Sequence, residues 1–364
     1  MKFLQGNLPI GIDLGTGSLK LAQMRIPTQK VFELGAAAWA QFPAETDGNL
    51  QQRVAYAAGV INEKLKDKRF RGRHCVLGLP ACHVSVQHVK LPMLPPAQTQ
   101  AAIRQELAQK LPYSVNDAVI RHTLVGDIIG DGERRQEFIV AAVERGTLET
   151  YLDIARLAKL ELVGVNVECA ALVECFSRLF RRASDATRPI LFIDMGLCST
   201  QVVLTHGDKL VFARNLLHGE RQIDQAVAEG LHITPQQAHD LRWNFQPTNP
   251  FQATQERIYK SIDPSLDMLA DEAMQCLRYY DSVFRNMPVE RVIFLGGQAH
   301  DKHLCQSFAQ RLNLPAQIGD PLMRVQNVEQ SGIELPAVNE SGQREPQPKW
   351  AVAIGLSLGA PKAA

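Results

Sequence analysis

An internal repeat constrains this chain more than any other feature. Ile10-Gly11-Ile12-Asp13-Leu14-Gly15 is an apolar run ending in Asp-x-Gly; residues 19–24 then alternate as a second strand, and a third starts at 31–34 and continues toward Trp39. Far down the chain the plan recurs as Ile190-Leu191-Phe192-Ile193-Asp194-Met195-Gly196, with strands over 201–205 and 209–215. Two copies of one strand–turn–strand–strand unit imply two related halves, each ending a buried strand in an acid followed by a tight turn.

That turn carries chemistry. Glycines let a backbone bend sharply and bring its N–H groups against phosphate oxygens. Asp13, at a strand end, can hold Mg²⁺ through its water shell, and Lys20 can reach a terminal phosphate. Asp194 and Gly196 repeat the acid and glycine, followed by Ser199 and Thr200. Two facing hairpins can grip a triphosphate from both sides and share its metal. Leu197 and Cys198 are less polar than neighbours of phosphate usually are. A third motif, Gly296-Gly297, follows the apolar strand 292–295 and opens onto a helix; two glycines there let a flat base or ribose lie against backbone. The first loop is not a Walker A loop, because Lys20 follows Leu19 and a strand follows the turn. Nor is it a dinucleotide-binding turn, which leads directly into a helix. A plain turn accounts for each motif alone, but the ordered set is far less probable by chance.

Between the copies, residues 50–67 have helical spacing, with Val54, Ala57, Ala58, Ile61 and Leu65 on one face. A buried strand follows at 74–79. The next stretch differs. A strand over 82–91 is broken at Leu91-Pro92-Met93-Leu94-Pro95-Pro96. A polar helix over 97–110 ends at Leu111-Pro112, and strands 119–125 and 137–143 flank a charged turn at 127–134. Strand–helix–strand–strand predicts a small inserted α+β subdomain over 81–147. A helix over 148–160, a strand over 162–167, a helix over 170–182 and a polar linker over 183–188 lead into the second copy. Residues 220–285 are largely helical, 329–349 a polar loop, and a short helix starts at Trp350. At 364 residues the chain exceeds one core. The expected fold class is α/β, two related three-layer halves with an inserted subdomain. The first half is 1–80, completed by 148–182 and the C-terminal helix 348–364. The second is 183–347, mainly helical at about 220–288.

Composition narrows the partners. With 45% hydrophobic and 21% charged residues the chain is an ordinary folded protein, and a net charge of +1 gives no global attraction to nucleic acid or anionic lipid. The basic run Lys68-Arg69-Phe70-Arg71-Gly72-Arg73 reads as a solvated turn before a strand. No window is apolar for about 18 residues, and the first nine residues lack the apolar core of a signal peptide. Seven scattered cysteines without a C-x-x-C pair fit a reducing cytoplasm. His300, His303 and Cys305 lack a fourth metal partner and read as a helix surface.

With these motifs in place, the chain resembles the actin, sugar kinase and heat-shock ATPase superfamily. Within it, the chain is similar to the PilM family of type IV pilus assembly and, more distantly, to FtsA. The likeness covers nearly the whole chain, in Gly11-Ile12-Asp13-Leu14-Gly15 with Lys20, Val89-Lys90-Leu91-Pro92, Gly164-Val165-Asn166-Val167-Glu168 and Trp350-Ala351-Val352-Ala353-Ile354-Gly355-Leu356. The resemblance implies an actin-like two-lobed fold binding ATP and Mg²⁺. Asp13 and Asp194 match metal-associated acids. Gly15, Thr16, Gly17 and Lys20 match the first phosphate loop; Gly196, Ser199 and Thr200 match the second; Gly296 and Gly297 match the adenosine motif. Glu168 matches a catalytic, water-orienting position, and Gly219, Glu220 and Asp224 match the approach to ribose. One departure stands out: where relatives carry Ala-Glu-x-x-Lys near base and ribose, this chain has Ala238-His239-Asp240-Leu241-Arg242, so Arg242 replaces the lysine.

The implied function is a cytoplasmic scaffold, peripheral at the inner membrane through its partners. It would take the cytoplasmic N-terminal peptide of a PilN-like inner-membrane protein on the 81–147 subdomain, and be at most a slow ATPase. Self-association is the alternative use of that subdomain; nucleic acid and direct membrane insertion are not expected. Two other functions stay open. An FtsA-like filament protein needs an amphipathic C-terminal anchor, whereas residues 355–364 are short and broken by glycine and proline. A small-molecule kinase needs a catalytic carboxylate facing a substrate hydroxyl, and the sequence identifies none.

Overall fold

The computed structural model describes residues 6–28, 31–130, 132–180, 188–243, 252–285, 287–335 and 344–359. The chain opens with an antiparallel meander, β1 (Gly6–Leu14), β2 (Ser18–Thr28) and β3 (Val31–Gln41). Helix α1 (Leu50–Lys64) is started by Asn49, whose side chain accepts the Gln52 N–H, and buries the expected stripe of Val54, Ala57, Ala58 and Ile61. It leads to β4 (His74–Leu79), parallel to β1. Then come β5 (Ser85–Pro92), α2 (Pro96–Leu107), β6 (Ala118–Gly130) and β7 (Glu133–Glu144), followed by α3 (Arg145–Leu157), β8 (Glu161–Val167) and α4 (Glu168–Ser177). The second meander is β9 (Pro189–Met195), β10 (Thr200–His206) and β11 (Lys209–Leu216). After it run α5 (Glu220–Leu231), α6 (Pro235–Trp243), α7 (Gln252–Val283), β12 (Val292–Gly296), α8 (Lys302–Arg311), β13 (Ala316–Ile318), β14 (Val325–Gln326) and α9 (Ala351–Leu358).

The strands make the repeat explicit. The first sheet has the order β14-β3-β2-β1-β4-β8 and the second β11-β10-β9-β12-β13. Apart from the edge strand β14, the two match strand for strand: an antiparallel meander whose first strand pairs in parallel with a later one, which in turn pairs in parallel with another. The short strands β13 and β14 carry too few alternating residues to be legible in sequence.

Helices α1 and α3 cover the outer face of the first sheet, and α5, α7 and α8 that of the second. Between the sheets lie α4 and α9, in a core that includes Ala22, Met24, Leu172, Phe192, Val203, Ile354 and Leu356. The two helices sit differently on the sheets. Helix α9, which follows the second sheet, lies on β1, β2 and β4 of the first. Helix α4, which follows the first, lies across both, on β4 and β8 and on β10 and β11, with the Phe176 ring 5.1 Å from Phe192. Every residue of α9 from Ala351 to Ser357 is buried, as expected of a helix apolar all round. Its crossing with α4 is at backbone contact: a Cβ on Gly355 would overlap the Ala171 carbonyl.

The insertion is a separate antiparallel sheet, β5-β7-β6, with α2 packing Ile103 and Leu107 onto Val89, Leu91, Phe138 and Val140. Its first strand starts at Ser85, not at residue 82. Pro80 instead begins a 3-10 turn over Ala81–His83, closed by the His83 N–H on the Pro80 carbonyl at 3.0 Å. Helix α4 likewise stops at Ser177 rather than 182, and the Arg178 guanidinium donates to the carbonyls of Pro321 and Met323. Most of the expected 183–188 linker lies outside the described residues.

The insertion is clasped to the second half. His88 on β5 stacks at 4.6 Å on Phe212 of β11, and its Nε2 accepts the Ala213 N–H at 3.4 Å. Its Nδ1 then donates to buried Glu137 at 2.8 Å, and Tyr279 of α7 donates to the same Glu137 oxygen at 2.6 Å. Among the described residues no helix is long and apolar enough to cross a membrane.

Candidate functional site

The two Asp-x-Gly turns face each other across a cleft of about 750 Å³ between the sheets. It is lined by Asp13, Gly15, Thr16, Gly17, Lys20, Glu168, Asp194, Gly196, Ser199, Glu220, Asp224, Gly296 and Gly297, all singled out from sequence. Parallel register explains the convergence. Asp13 lies level with Gly78, next to the crossover into the insertion, and Asp194 lies level with Leu295, next to Gly296-Gly297.

The first loop is held from behind. Arg53 of α1 donates to the carbonyls of Gly15 and Thr16, both at 2.6 Å, and lies 3.6 Å above the Phe42 ring. With those carbonyls engaged, the N–H groups of Gly15, Thr16 and Gly17 find no acceptor among the described residues. The second loop is tied to α5: Gly196 and Leu197 carbonyls accept the N–H groups of Glu220 and Arg221, both at 3.0 Å. Gly219 sits in that seam, where a Cβ would press on Ser199 N and on the Gly196 and Leu197 carbonyls. Gly219 therefore supports the loop and does not line the cleft. Thr200 does not line it either; its hydroxyl donates to the His218 carbonyl at 2.7 Å on the buried side of β10. Gly296 has φ +84, and a Cβ there would overlap the Met195 carbonyl, whereas Gly297 faces open space.

Three carboxyl groups crowd the floor. Asp13 meets Lys20 Nζ at 3.1 Å. Glu168, the first residue of α4, accepts the Ala81 N–H at 3.2 Å and a hydrogen bond from Gln201. Although the Glu168 and Asp194 residues border the cleft, protein packs round both. Burial first, then the charge of Asp13, pushes Asp194 up to about 7. Burial, then Asp13 and Asp194, raises Glu168 well above the usual carboxylate range. The group thus holds protons that a cation could replace.

On the second-half wall, the departure at 238–242 has a structural meaning. His239 Nδ1 lies 3.0 Å from Asp224 and 3.1 Å from Glu220, and Trp243 Nε1–H donates to Glu220 at 2.7 Å. Arg242 does not line the cleft; its guanidinium bridges Asp224 and Gln298 from behind. Glu220, Asp224 and His239 bring ligand atoms within 4.8 Å of one another, but Arg242, Trp243 and the cluster itself already engage them. At the rim, Trp243 stacks at 4.0 Å on His300, whose Nδ1 is 2.6 Å from the Gly297 carbonyl.

Sequence reading missed Arg53, Gln201, Trp243 and Lys349, which lies 5.0 Å over the Trp39 ring at the opposite wall. Gln201 could have been found from its parity with Ser199, since alternate strand residues share a face.

Two sheets of matching strand order, two helices packed between them and paired acid-glycine turns in the cleft define the actin-like fold. The chain belongs to the type IV pilus assembly protein PilM family, whose model matches residues 11–360. It is similar to a chain of a solved PilM-PilN type IV pilus biogenesis complex, at 23% identity over 96% of this chain and 97% of that one, with a TM-score of 0.75. It is also similar to the ethanolamine utilization protein EutJ from Carboxydothermus hydrogenoformans, at 13% identity over 98% and 91% of the two chains, with a TM-score of 0.57.

Proposed function

We propose that this chain binds ATP with Mg²⁺ in the inter-sheet cleft and acts as a nucleotide-dependent scaffold of pilus assembly at the cytoplasmic face of the inner membrane. The observation that carries the reading is the convergence of Asp13, Asp194 and Glu168 beside a loop with unclaimed N–H groups. Hard oxygen donors, two of them pushed toward protonation by burial and then by the charge of Asp13, suit Mg²⁺, which takes one or two carboxylates and keeps its waters. Bound Mg²⁺ would supply the positive charge that lets these groups ionise together. Asp13 and Asp194 are the residues to hold it.

The remaining roles belong to the chain itself. Gly15, Thr16, Gly17, Gly196 and Ser199 receive phosphate oxygens, and Lys20 neutralises a terminal one. Gly296 and Gly297 give the adenosine a flat wall, with Glu220 and Asp224 toward the ribose. Glu168, held by Ala81 and Gln201, is placed to orient water. Burial favours its neutral form, which cannot accept a proton from water, and this fits a binding switch with slow turnover better than a fast ATPase. The partner proposed is the cytoplasmic N-terminal peptide of a PilN-like membrane protein; the similar solved chain comes from a PilM-PilN complex.

Isothermal titration of ATP, with and without Mg²⁺, tests the site. Asp13→Ala should weaken Mg²⁺-dependent binding at least tenfold, about 1.4 kcal/mol. Unchanged affinity in the folded variant would remove Asp13 from the site.

A further inference from the structure

The basic run at residues 64–73 is not used by the cleft. It carries six cations, Lys64, Lys66, Lys68, Arg69, Arg71 and Arg73, against the single acid Asp67, in a chain whose net charge is only +1. In the fold this run does not simply project into solvent. It forms one wall of a second cavity, about 340 Å³, at the far end of the first sheet. Strand β4 begins there at His74 and ends at Leu79, beside the cleft, so both sites can be filled at once.

The pocket is lined by Arg25, Lys68, Arg69 and Arg71, with Asn327 and Gln330 opposite. Its framework is fixed by buried contacts. Gln23, only 2% exposed, donates to the carbonyls of Leu8 at 2.9 Å and Arg71 at 2.7 Å and accepts the Arg71 N–H at 2.8 Å. The backbone of Arg71 is thereby locked while its guanidinium makes no ion pair with any described residue, and Lys68 makes none either. Arg69 is oriented by Asp67, whose carboxylate accepts its Nε at 2.8 Å, and packs against Gly332. Arg25 is set by Asn7 at 3.0 Å and by Glu33 at 4.0 Å. The two acids of the lining, Glu33 and Asp67, thus each face a cation already, leaving the positive charge of Lys68 and Arg71 in excess.

We propose that this pocket binds a phosphate-bearing anion. Guanidinium forks and an ammonium on a rigid frame match phosphate oxygens in geometry and charge. The shared chemistry admits two sources, the glycerophosphate headgroup of an anionic lipid and a phosphate free in solution.

The experiment uses the full chain. Its partition onto phosphatidylcholine vesicles and onto phosphatidylcholine–phosphatidylglycerol vesicles is measured by cosedimentation, and inorganic phosphate and pyrophosphate are titrated calorimetrically. The variants are Lys68→Glu/Arg71→Glu and, as a control on the insertion, Lys110→Glu. The double change alters exposed side chains and leaves the Gln23 clamp on the backbone; a thermal melt checks the fold. Selective binding to the phosphatidylglycerol vesicles, reduced at least about tenfold by the double variant and not by Lys110→Glu, assigns the headgroup; each basic side chain near an anionic surface contributes a factor of about five. Saturable binding of phosphate or pyrophosphate, lost in the double variant, assigns the free anion. The proposal is overturned if neither probe binds, or if Lys110→Glu lowers binding as much as the double variant.

Discussion

Gly296 and Gly297 are adjacent and look interchangeable in sequence, yet their surroundings separate them. A side chain on Gly296 must overlap the Met195 carbonyl, so Gly296→Val should lower stability by about 1–3 kcal/mol and disturb Asp194 as well. Gly297 faces open space in the cleft. Gly297→Val should melt like the parent chain yet bind ATP at least about tenfold more weakly. Calorimetry paired with a melting curve distinguishes the two. A second expectation follows from Asp194, whose carboxyl rises from its ordinary 3.8 to about 7. Between those values the folded chain holds a proton that the unfolded chain has lost, so this group's contribution to stability fades as pH rises through about 7. Melting of the nucleotide-free chain should therefore be less pH-dependent in Asp194→Asn. Mg²⁺-ATP should raise the melting temperature more at about pH 8 than at about pH 6, because a metal-binding carboxylate must first lose its proton. A stabilisation equal at both pH values would contradict the assignment of Asp194. At this scale the sequence was legible wherever backbone geometry sets the role, as in the Asp-x-Gly turns. It was less legible where side-chain direction decides. Thr200 matches the second phosphate loop by position, but its side chain points to the buried side of its strand, whereas Gln201 faces the cleft.

The elements were mostly written in apolar periodicity. Strands β9 and β12 and the second half of β1, from Ile10 to Leu14, are mostly apolar runs because they are buried on both faces, and the α1 stripe follows helical spacing. Strands β13 and β14 escaped because three and two residues hold no pattern, and Pro80 shortened β5 through a turn that residue type alone did not reveal. Packing between elements gives a sharper test. Gly355→Val would drive a side chain into the Ala171 carbonyl, where α9 and α4 cross. Because both helices belong to the core shared by the sheets, we expect a loss of about 3 kcal/mol or more, read by denaturant unfolding. The clasp of the insertion is subtler. His88→Ala leaves Glu137, 1% exposed, with Tyr279 as its remaining partner, and should cost about 1–3 kcal/mol. A change below a few tenths of a kcal/mol would mean that the clasp is not a structural tie.

For the whole molecule, the proposed peptide partner needs an open strand edge or groove. In the insertion β5 and β6 are the two edge strands, and β11 packs more against β5 than against β6; in the first sheet β8 is the outer strand on the same side of the order as β4. Strands β6 and β8 each carry an exposed apolar residue, Leu124 and Val165. An extended peptide added to such an edge gains main-chain hydrogen bonds, and micromolar affinity, about −8 kcal/mol, is the expectation for 10–15 residues. Leu124→Asp or Val165→Asp should weaken a synthetic PilN-type tail peptide at least about tenfold. Equal binding by both variants and the parent would place the peptide elsewhere. These point changes are preferable to removing residues 81–147, which would strip Ala81 from Glu168 and uncover Phe212 and Tyr279.

The placing of α9 on the first sheet also fixes an order of events during synthesis. The underside of the first sheet is covered by a helix that the ribosome makes only after the whole second sheet. At about 5–20 residues per second, the roughly 190 residues from the end of β8 to the end of α9 take about 10–40 s to emerge. Throughout that interval Ala22, Met24 and Val76 lack the cover that α9 later gives them. The nascent chain therefore presents a bare apolar sheet face, a natural site for a ribosome-associated chaperone. Stalling translation just before Trp350 should leave the emerged first half sensitive to protease, and release after residue 358 should protect both halves together.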